Sequence, residues 1–207
     1  NLTSTYENDC FAPLLKEKTI PFVTIGAVPD GDVIQVDNDN AGACMELTGI
    51  LLAKKISRIA YLGSNMEQMV NKSRYQGFCA AYLQYGREPD GDILYTDLDS
   101  KVMIEKAVDR LLREGVDCLL CQDDFICNEA VRLLADRGVR IPEDVKVASC
   151  HYSRIMENYP VTVTSLKFDT GALAGTACRL LFALLDGKEV PVKTVMDYEI
   201  SLKESTK

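Results

Sequence analysis

The sequence alternates short β-branched, apolar runs with longer segments of helical periodicity, and this alternation is what most constrains the fold. Strands are predicted at residues 22–25, 33–36, 59–62, 93–95, 118–121 and 145–148. Helices are predicted at residues 38–54, 70–85, 100–113, 124–137 and 168–185, with Asp37 or Asn38 as the N-cap of the first. Such alternation favours βα units on a mostly parallel sheet. We therefore expect an α/β protein with an open, doubly wound sheet, which binds ligands beyond the carboxyl ends of its strands.

The charge balance argues against direct binding of nucleic acid by this segment. Lys and Arg number 23 against 31 Asp and Glu, a formal net charge of −8, and there is no basic run. Because DNA affinity depends on clustered Lys and Arg, any DNA contact is expected from residues outside this sequence. No stretch reaches the roughly 20 apolar residues of a membrane span. The start has no signal-peptide character, so we expect a cytoplasmic chain without membrane contact.

The eight cysteines lie inside apolar runs without the spacing of a disulfide framework, and we expect reduced, buried thiols. Those in helical patterns are Cys44, Cys79, Cys127 and Cys178. Cys118 and Cys121 form a CxxC within a predicted strand, where residues three apart point to opposite faces. A shared metal or redox disulfide is therefore not expected. The phosphate-binding patterns GxGxxG and GxxxxGK[ST] are also absent, so neither a cofactor nor a metal is predicted.

Several segments resemble, in order along the chain, the effector-binding domain of LacI/GalR (lactose-repressor) family transcriptional regulators. They are Ile20-Pro21-Phe22-Val23, Val36-Asp37-Asn38, residues 58–63, Asn71 with Arg74 and Gly77-Phe78, residues 138–145, and residues 202–207. The most specific match is Gly138-Val139-Arg140-Ile141-Pro142-Glu143-Asp144-Val145, which is similar to the family's GxxIPxDV signature. The ending resembles the family's LxxRxST, with Lys203 where Arg is usual.

The resemblance implies a two-lobed fold of the periplasmic-binding-protein-like type I class, with three chain crossings between the lobes. The N-terminal lobe would comprise residues 1–36 and 165–188 and would be incomplete. The C-terminal lobe would comprise residues 37–164 and 189–207. Crossings are expected near Val36-Asp37, Ser165 and Lys188, and the family's helix-turn-helix DNA-binding headpiece is absent from this sequence.

The resemblance also implies an effector site between the lobes. Arg74 matches the family Arg that hydrogen-bonds the effector, although a solvated Arg in a local ion pair is the structural alternative. Gln122 and Asp123 occupy a turn where the family usually has an Asn-Asp pair. Acidic residues there can instead stabilise a helix N-terminus, and for Asp124 capping is the favoured interpretation.

Three further positions complete the expected site. His151, the single histidine, stands where a sugar-binding Asp is common, and a structural and a functional role are about equally expected. Leu98 falls where many members have an aromatic sugar platform, and Phe125 follows the Asp123-Asp124 turn. These departures leave the ligand open as a sugar, a sugar phosphate or a related polar metabolite.

The resulting prediction is a homodimeric, cytoplasmic regulator that senses a small molecule in its interlobe cleft and controls operator binding by the absent headpiece. It is not expected to be an enzyme. One alternative is a periplasmic sugar-binding protein, which shares the two-lobed fold. A second alternative is a hydrolase that uses a cysteine with His151. Cys150 adjoins His151, but neighbours at a strand end usually point apart, and no nucleophile elbow is present.

Overall fold

The helices and strands follow the predicted alternation. The computed structural model describes residues 2–3, 6, 10–29 and 31–207. The strands are β1 (Leu2–Thr3), β2 (Thr24–Ile25), β3 (Gln35–Asn38), β4 (Ile59–Leu62), β5 (Leu94–Tyr95), β6 (Cys118–Cys121), β7 (Lys146–Ser149), β8 (Thr164–Phe168), β9 (Lys193–Met196) and β10 (Tyr198–Ser201). The helices are α1 (Phe11–Glu17), α2 (Asn40–Ala53), α3 (Met69–Gln84), α4 (Lys101–Arg113), α5 (Asp124–Asp136) and α6 (Thr170–Leu185). Short 3-10 helices lie at Gly91–Ile93, Arg154–Asn158 and Glu204–Thr206.

The strands form two sheets. A four-stranded sheet has the order β1-β2-β3-β9 and is parallel throughout, and helix α6 packs against its strands β2 and β3. A six-stranded sheet has the order β10-β8-β7-β6-β4-β5 and is parallel except for β10, which runs antiparallel to β8. We call the first sheet with α1 and α6 the small lobe, and the second sheet with α2 to α5 the large lobe. The predicted α/β class with parallel sheets is confirmed.

The large lobe holds most of the buried core. Every residue of β4 and β6 is buried, as expected for parallel strands covered on both faces by helices. The rings of Tyr61, Phe78 and Tyr82 pack in series, with centroids 5.3 and 5.0 Å apart. The small lobe has a smaller core built around Val23, Val36 and Ala177. The large lobe is therefore the better packed of the two lobes.

The chain crosses between the lobes at residues 39, 169 and 197, whereas the crossings were predicted near Val36-Asp37, Ser165 and Lys188. Strand β8 belongs to the large sheet, where it pairs with β7 and β10. Strand β9 belongs to the small sheet, because its whole length pairs with β3. The amide N–H of Asp39 donates to the Met196 carbonyl at 3.2 Å, which ties the first crossing to the third.

Local capping differs from the prediction at α2. The N-cap is Asp39 rather than Asp37 or Asn38, and its carboxylate accepts from the amide of Gly42 at 2.8 Å. Asp37 and Asn38 are the last residues of β3 instead. Both residues line the space between the lobes.

No disulfide joins any two cysteines among the described residues. Cys44, Cys118, Cys121, Cys127 and Cys150 are buried, Cys79 is half-buried, and Cys10 and Cys178 are exposed. The expectation of burial is therefore wrong for the last two. Within the described part of the chain, no three His, Cys, Asp or Glu side chains gather in a way that could hold a metal ion. Likewise, none of the described helices has the length and apolarity to cross a bilayer.

Candidate functional site

A cavity of about 200 Å³ lies between the two lobes, at the carboxyl ends of β2, β3, β7 and β8. This interlobe cleft is lined by Ile25, Gly26, Asp37, Asn38, Asn40, Val70, Arg74, His151, Phe168, Thr170 and Leu173. Both lobes contribute to this lining, which combines polar groups with apolar side chains. Such a strand-end crevice is the usual ligand site of open α/β sheets.

Arg74 is held in place by two hydrogen bonds that it donates. Its Nε donates to Asn40 Oδ1 at 3.2 Å, and its Nη1 donates to the Gln122 carbonyl at 3.0 Å. Its guanidinium carbon lies 6.0 Å from the centroid of the Phe168 ring. The residue is only 7% exposed, and none of the ion pairs among the described residues includes it. Arg74 is therefore a buried donor fixed at the cleft wall rather than a solvated surface cation.

A close contact between helices sets the position of Arg74. A Cβ atom on Gly77 would lie 2.2 Å from the Ala41 carbonyl oxygen, so only glycine lets α3 approach α2 this closely. Arg74 stands one turn before Gly77 on α3, and Asn40 begins α2. The close approach therefore brings the guanidinium within reach of the Asn40 side chain.

Asp37 and Asn38 provide acceptors opposite Arg74, and sequence reasoning missed both as ligand candidates. Asp37 Oδ1 accepts from the Asn38 amide at 2.8 Å and from Asn40 Nδ2 at 3.2 Å. Burial raises the pKa of Asp37, and backbone hydrogen bonds and the Arg74 charge oppose that shift. Asn38 Oδ1 is buried without a hydrogen-bond partner. The available signal was the strand that ends at Val36-Asp37-Asn38, because strand ends line such clefts.

His151 lines the cleft as expected. Its amide donates to Ser149 Oγ at 3.2 Å, and the Ser149 hydroxyl donates back to the His151 carbonyl at 2.7 Å. Burial and the nearby Arg74 charge push the pKa of His151 below its ordinary value. The imidazole is therefore neutral at pH 7, and one ring nitrogen can donate while the other accepts.

The two residues of the predicted turn have structural roles. Gln122 is fully buried; its Oε1 accepts from the Ser64 amide at 3.0 Å and from Tyr61 Oη at 3.3 Å. Its backbone carbonyl, not its side chain, meets Arg74. Asp123 is the N-cap of α5 and accepts from the Ile126 amide at 2.8 Å. The prediction that Asp124 would be the cap is wrong, since Asp124 is the first helical residue.

Leu98 and Phe125 also lie outside the cleft lining. Leu98 is 5% exposed in the large-lobe core, and Phe125 is half exposed on the first turn of α5. The aromatic ring in the cleft is that of Phe168, which sequence reasoning missed. Contact of Gln122, Asp123, Leu98 or Phe125 with a ligand stays a prediction.

The geometry does not support a cysteine nucleophile at the cleft. Cys150 is fully buried, and its Sγ lies 3.4 Å from Cys44 Sγ in the core. His151 faces the cleft, whereas Cys150 is not part of its lining. The base and the proposed nucleophile therefore do not present to a common substrate position.

Known proteins with similar sequences and folds are transcriptional regulators. The family described as periplasmic binding protein-like domain matches residues 48–206. The HTH-type transcriptional regulator CelR of Thermobifida fusca is 30% identical over 99% of this chain and 62% of its own length. The HTH-type transcriptional repressor PurR of Mannheimia succiniciproducens is 26% identical over 100% of this chain and 63% of its own.

The solved structure of a transcriptional regulator CelR–cellobiose complex superimposes with a TM-score of 0.89 at 28% identity, over 99% of this chain and 64% of that one. The chain thus spans less than two thirds of the length of these relatives. Fold, matched family and relatives agree. The chain belongs to the periplasmic binding protein-like family, as an effector-binding domain of the LacI/GalR type.

Proposed function

We propose that the chain binds a neutral carbohydrate in the interlobe cleft and that this binding controls DNA recognition by a full-length cytoplasmic regulator. The observation that carries the proposal is the juxtaposition of the anchored Arg74 donor with two acceptors, the Asp37 carboxylate and the unpartnered Asn38 Oδ1. Each hydroxyl of a sugar both donates and accepts, so it can satisfy groups of both kinds.

The apolar part of the cleft lining suits the apolar face of a sugar ring. Phe168 and Leu173 present apolar surface, and neutral His151 can donate or accept a hydrogen bond. A few placed polar groups on an apolar wall fix the orientation of a ligand and give it specificity. The buried Asn38 oxygen costs free energy until a ligand hydroxyl donates to it.

The charges in the cleft favour a neutral sugar over a sugar phosphate. Arg74 is the cationic residue of the lining, the Asp37 carboxyl lies in the same cleft, and His151 is neutral. A phosphate would place its negative charge near Asp37 with one guanidinium to balance it. The CelR–cellobiose complex shows a similar fold with a neutral disaccharide.

The three chain crossings between the lobes provide the hinge about which ligand binding would rotate one lobe against the other. A ligand held by Arg74 from the large lobe and Asp37 from the small lobe would favour one relative orientation of the lobes, with the backbone at residues 39, 169 and 197 absorbing the rotation. We propose that a homodimer passes this rotation to two DNA-reading headpieces on a near-palindromic operator. The net charge of −8 agrees with DNA contact by residues outside this chain. The regulator relatives favour this function over a periplasmic sugar binder.

The cleft is tested by calorimetric titration of the chain with cellobiose, glucose and glucose 6-phosphate. We expect a neutral sugar to bind, and Arg74→Ala to weaken it by about 1.5 to 3 kcal/mol, the usual range for a hydrogen bond to a charged group. Arg140→Ala is the matched control, because Arg140 is an exposed arginine paired with Asp144. Equal affinity in both variants would remove Arg74 from the site.

Control of DNA binding is tested on the full-length protein. Operator affinity with and without saturating sugar, and sugar affinity with and without operator, should change by the same factor, typically worth about 1 to 3 kcal/mol. Sedimentation of the full-length protein should show a dimer. If sugar binds but neither affinity changes, the chain is a sugar-binding domain without this control function.

A further inference from the structure

A second cavity, of about 230 Å³, lies beside strands β8 and β10 under the loop that carries Arg154–Asn158. It is lined by Tyr152, Met156, Glu157, Tyr159, Thr162, Val163, Ser165, Lys167, Ser201 and Lys203. None of these residues lines the interlobe cleft. Successive side chains of a strand point to opposite faces, so Lys167 faces this second cavity while the adjacent Phe168 faces the cleft.

Two serine hydroxyls form the floor of the second cavity without using their hydrogen-bonding capacity. Ser165 on β8 and Ser201 on β10 stand directly opposite each other in the antiparallel pair. Ser165 is 1% exposed and Ser201 is 7% exposed. None of the hydrogen bonds among the described residues involves either hydroxyl. The Tyr159 hydroxyl in the cavity wall is buried without a hydrogen-bond partner, so a polar ligand group would satisfy hydroxyls of this cavity that otherwise lack partners.

The walls of the second cavity are aromatic and apolar. Tyr152 and Tyr159 line it together with Met156 and Val163, both of which are buried. The amide of Tyr152 donates to the Leu166 carbonyl at 2.8 Å, which fixes this wall to β8. Tyrosine rings and a methionine thioether are favourable neighbours for a flat aromatic ring.

The rim of the second cavity carries more positive than negative charge. Lys167 Nζ lies 5.2 Å from the centre of the Tyr152 ring and only 3.8 Å from the nearest Glu199 oxygen, a long and exposed ion pair. Lys203 has no ion-pair partner among the described residues. Glu157 is the acidic residue of the rim, and it accepts a hydrogen bond from the Tyr152 hydroxyl.

From this arrangement we propose that the second cavity is a ligand site for a small aromatic carboxylate bearing a hydroxyl group at the far end of its ring. The ligand hydroxyl meets Ser165 and Ser201, the ring lies against Tyr152 and Met156, and the carboxylate meets Lys167 and Lys203. This site is separate from the sugar site, and its existence does not depend on what binds in the interlobe cleft.

The probes for this site are 4-hydroxybenzoate, benzoate and 4-hydroxybenzamide, titrated by calorimetry into the 207-residue chain. We expect 4-hydroxybenzoate to bind most tightly. Loss of the ligand charge in 4-hydroxybenzamide should weaken binding about tenfold, and loss of the hydroxyl in benzoate about threefold, as usual for charged and neutral hydrogen bonds. Equal affinity for all three probes, or binding of none, would overturn the assignment.

Substitutions in the second cavity test whether 4-hydroxybenzoate binds there. Lys167→Met and Lys203→Met should each weaken 4-hydroxybenzoate severalfold, and Ser201→Leu should fill the cavity and abolish binding. Lys188→Met is the matched control, because Lys188 is an exposed lysine paired with Asp186 and should leave binding unchanged. If Ser201→Leu does not fold, the two lysine variants decide the outcome.

A carboxylate could also be attracted by Arg74 in the interlobe cleft. Arg74→Ala should therefore leave 4-hydroxybenzoate affinity unchanged, and amide chemical shifts should change at residues 152, 165 and 201 rather than at residues 37 and 74. Loss of binding in Arg74→Ala would place the probe in the interlobe cleft and refute the second site.

Discussion

Gly77→Ala tests whether the close approach of α2 and α3 builds the site. The added Cβ would lie 2.2 Å from the Ala41 carbonyl oxygen and 3.0 Å from the Met45 amide nitrogen, both of which are backbone atoms of α2. Neither atom can rotate away, so the helices must separate. Overpacking of this kind costs about 3 kcal/mol, and the better helix propensity of alanine returns about 1 kcal/mol. We expect a net loss of about 2 kcal/mol in the free energy of unfolding.

Gly49→Ala is the matched control. Gly49 lies in α2, the helix that Gly77 of α3 contacts, and a Cβ at Gly49 would meet no atom within 4 Å. This variant should gain up to about 1 kcal/mol from helix propensity alone, so the two variants should differ by about 3 kcal/mol in urea unfolding. Because Arg74 lies one turn from Gly77, only Gly77→Ala should also weaken sugar binding. A Gly77→Ala variant as stable as Gly49→Ala would refute the packing argument.

Three further changes have defined outcomes. Asp37→Asn should raise the melting temperature of the ligand-free chain at pH 7. Burial raises the pKa of Asp37 in the folded state. Ionisation of Asp37 therefore lowers the free energy of unfolding as the pH rises above the pKa that Asp37 has in the unfolded chain. Melts at pH 3, where the carboxyl is largely protonated in both states, should show a much smaller gain. Asp123→Ala should lose about 1 kcal/mol in urea unfolding by removing the α5 cap, whereas Asp123→Asn should retain most of the stability. Ser205→Ala should lose about 2 kcal/mol or more, because its buried hydroxyl bonds two backbone groups, and Ser201→Ala, whose hydroxyl has no described partner, should change little.

The large lobe could be predicted because its strands carry a strong local signal. β4 and β6 were placed at the correct residues, since their continuous apolar runs are typical of parallel strands buried on both faces. The edge strands β9 and β10 and the interior strand β8 were missed because they lack this signal. β9 alternates exposed and half-buried residues, and β10 is largely half-buried or exposed, so neither shows a continuous apolar run. Their positions depend on pairing with distant strands, which sequence periodicity does not encode.

The family resemblance led to residues that line the cleft, whereas sequence reasoning failed where a role depends on side-chain direction or on the exact end of an element. Arg74 and His151 were identified as cleft residues. Gln122 was also chosen, but its side chain turns inward to Ser64 and Tyr61. Asp37 was predicted as a possible N-cap of α2, because aspartate is common at N-cap positions. The N-cap is Asp39, two residues later, and Asp37 lines the cleft instead. Differences of one or two residues at element boundaries therefore decide which carboxylate reaches the ligand.

Because buried and exposed cysteines differ in reactivity, the rate at which the large lobe unfolds can be measured without an introduced label. The buried cysteines Cys44, Cys118, Cys121, Cys127 and Cys150 all belong to the large-lobe core, whereas Cys10 and Cys178 are exposed. Burial raises the pKa of Cys118 to about 12, so its reactive thiolate is scarce while the lobe is closed. An alkylating reagent should mark the two exposed thiols at once and the buried five only as the lobe unfolds. Mass spectrometry of the alkylated chain would therefore follow the unfolding of the large lobe at its five buried cysteines, separately from the unfolding of the small lobe.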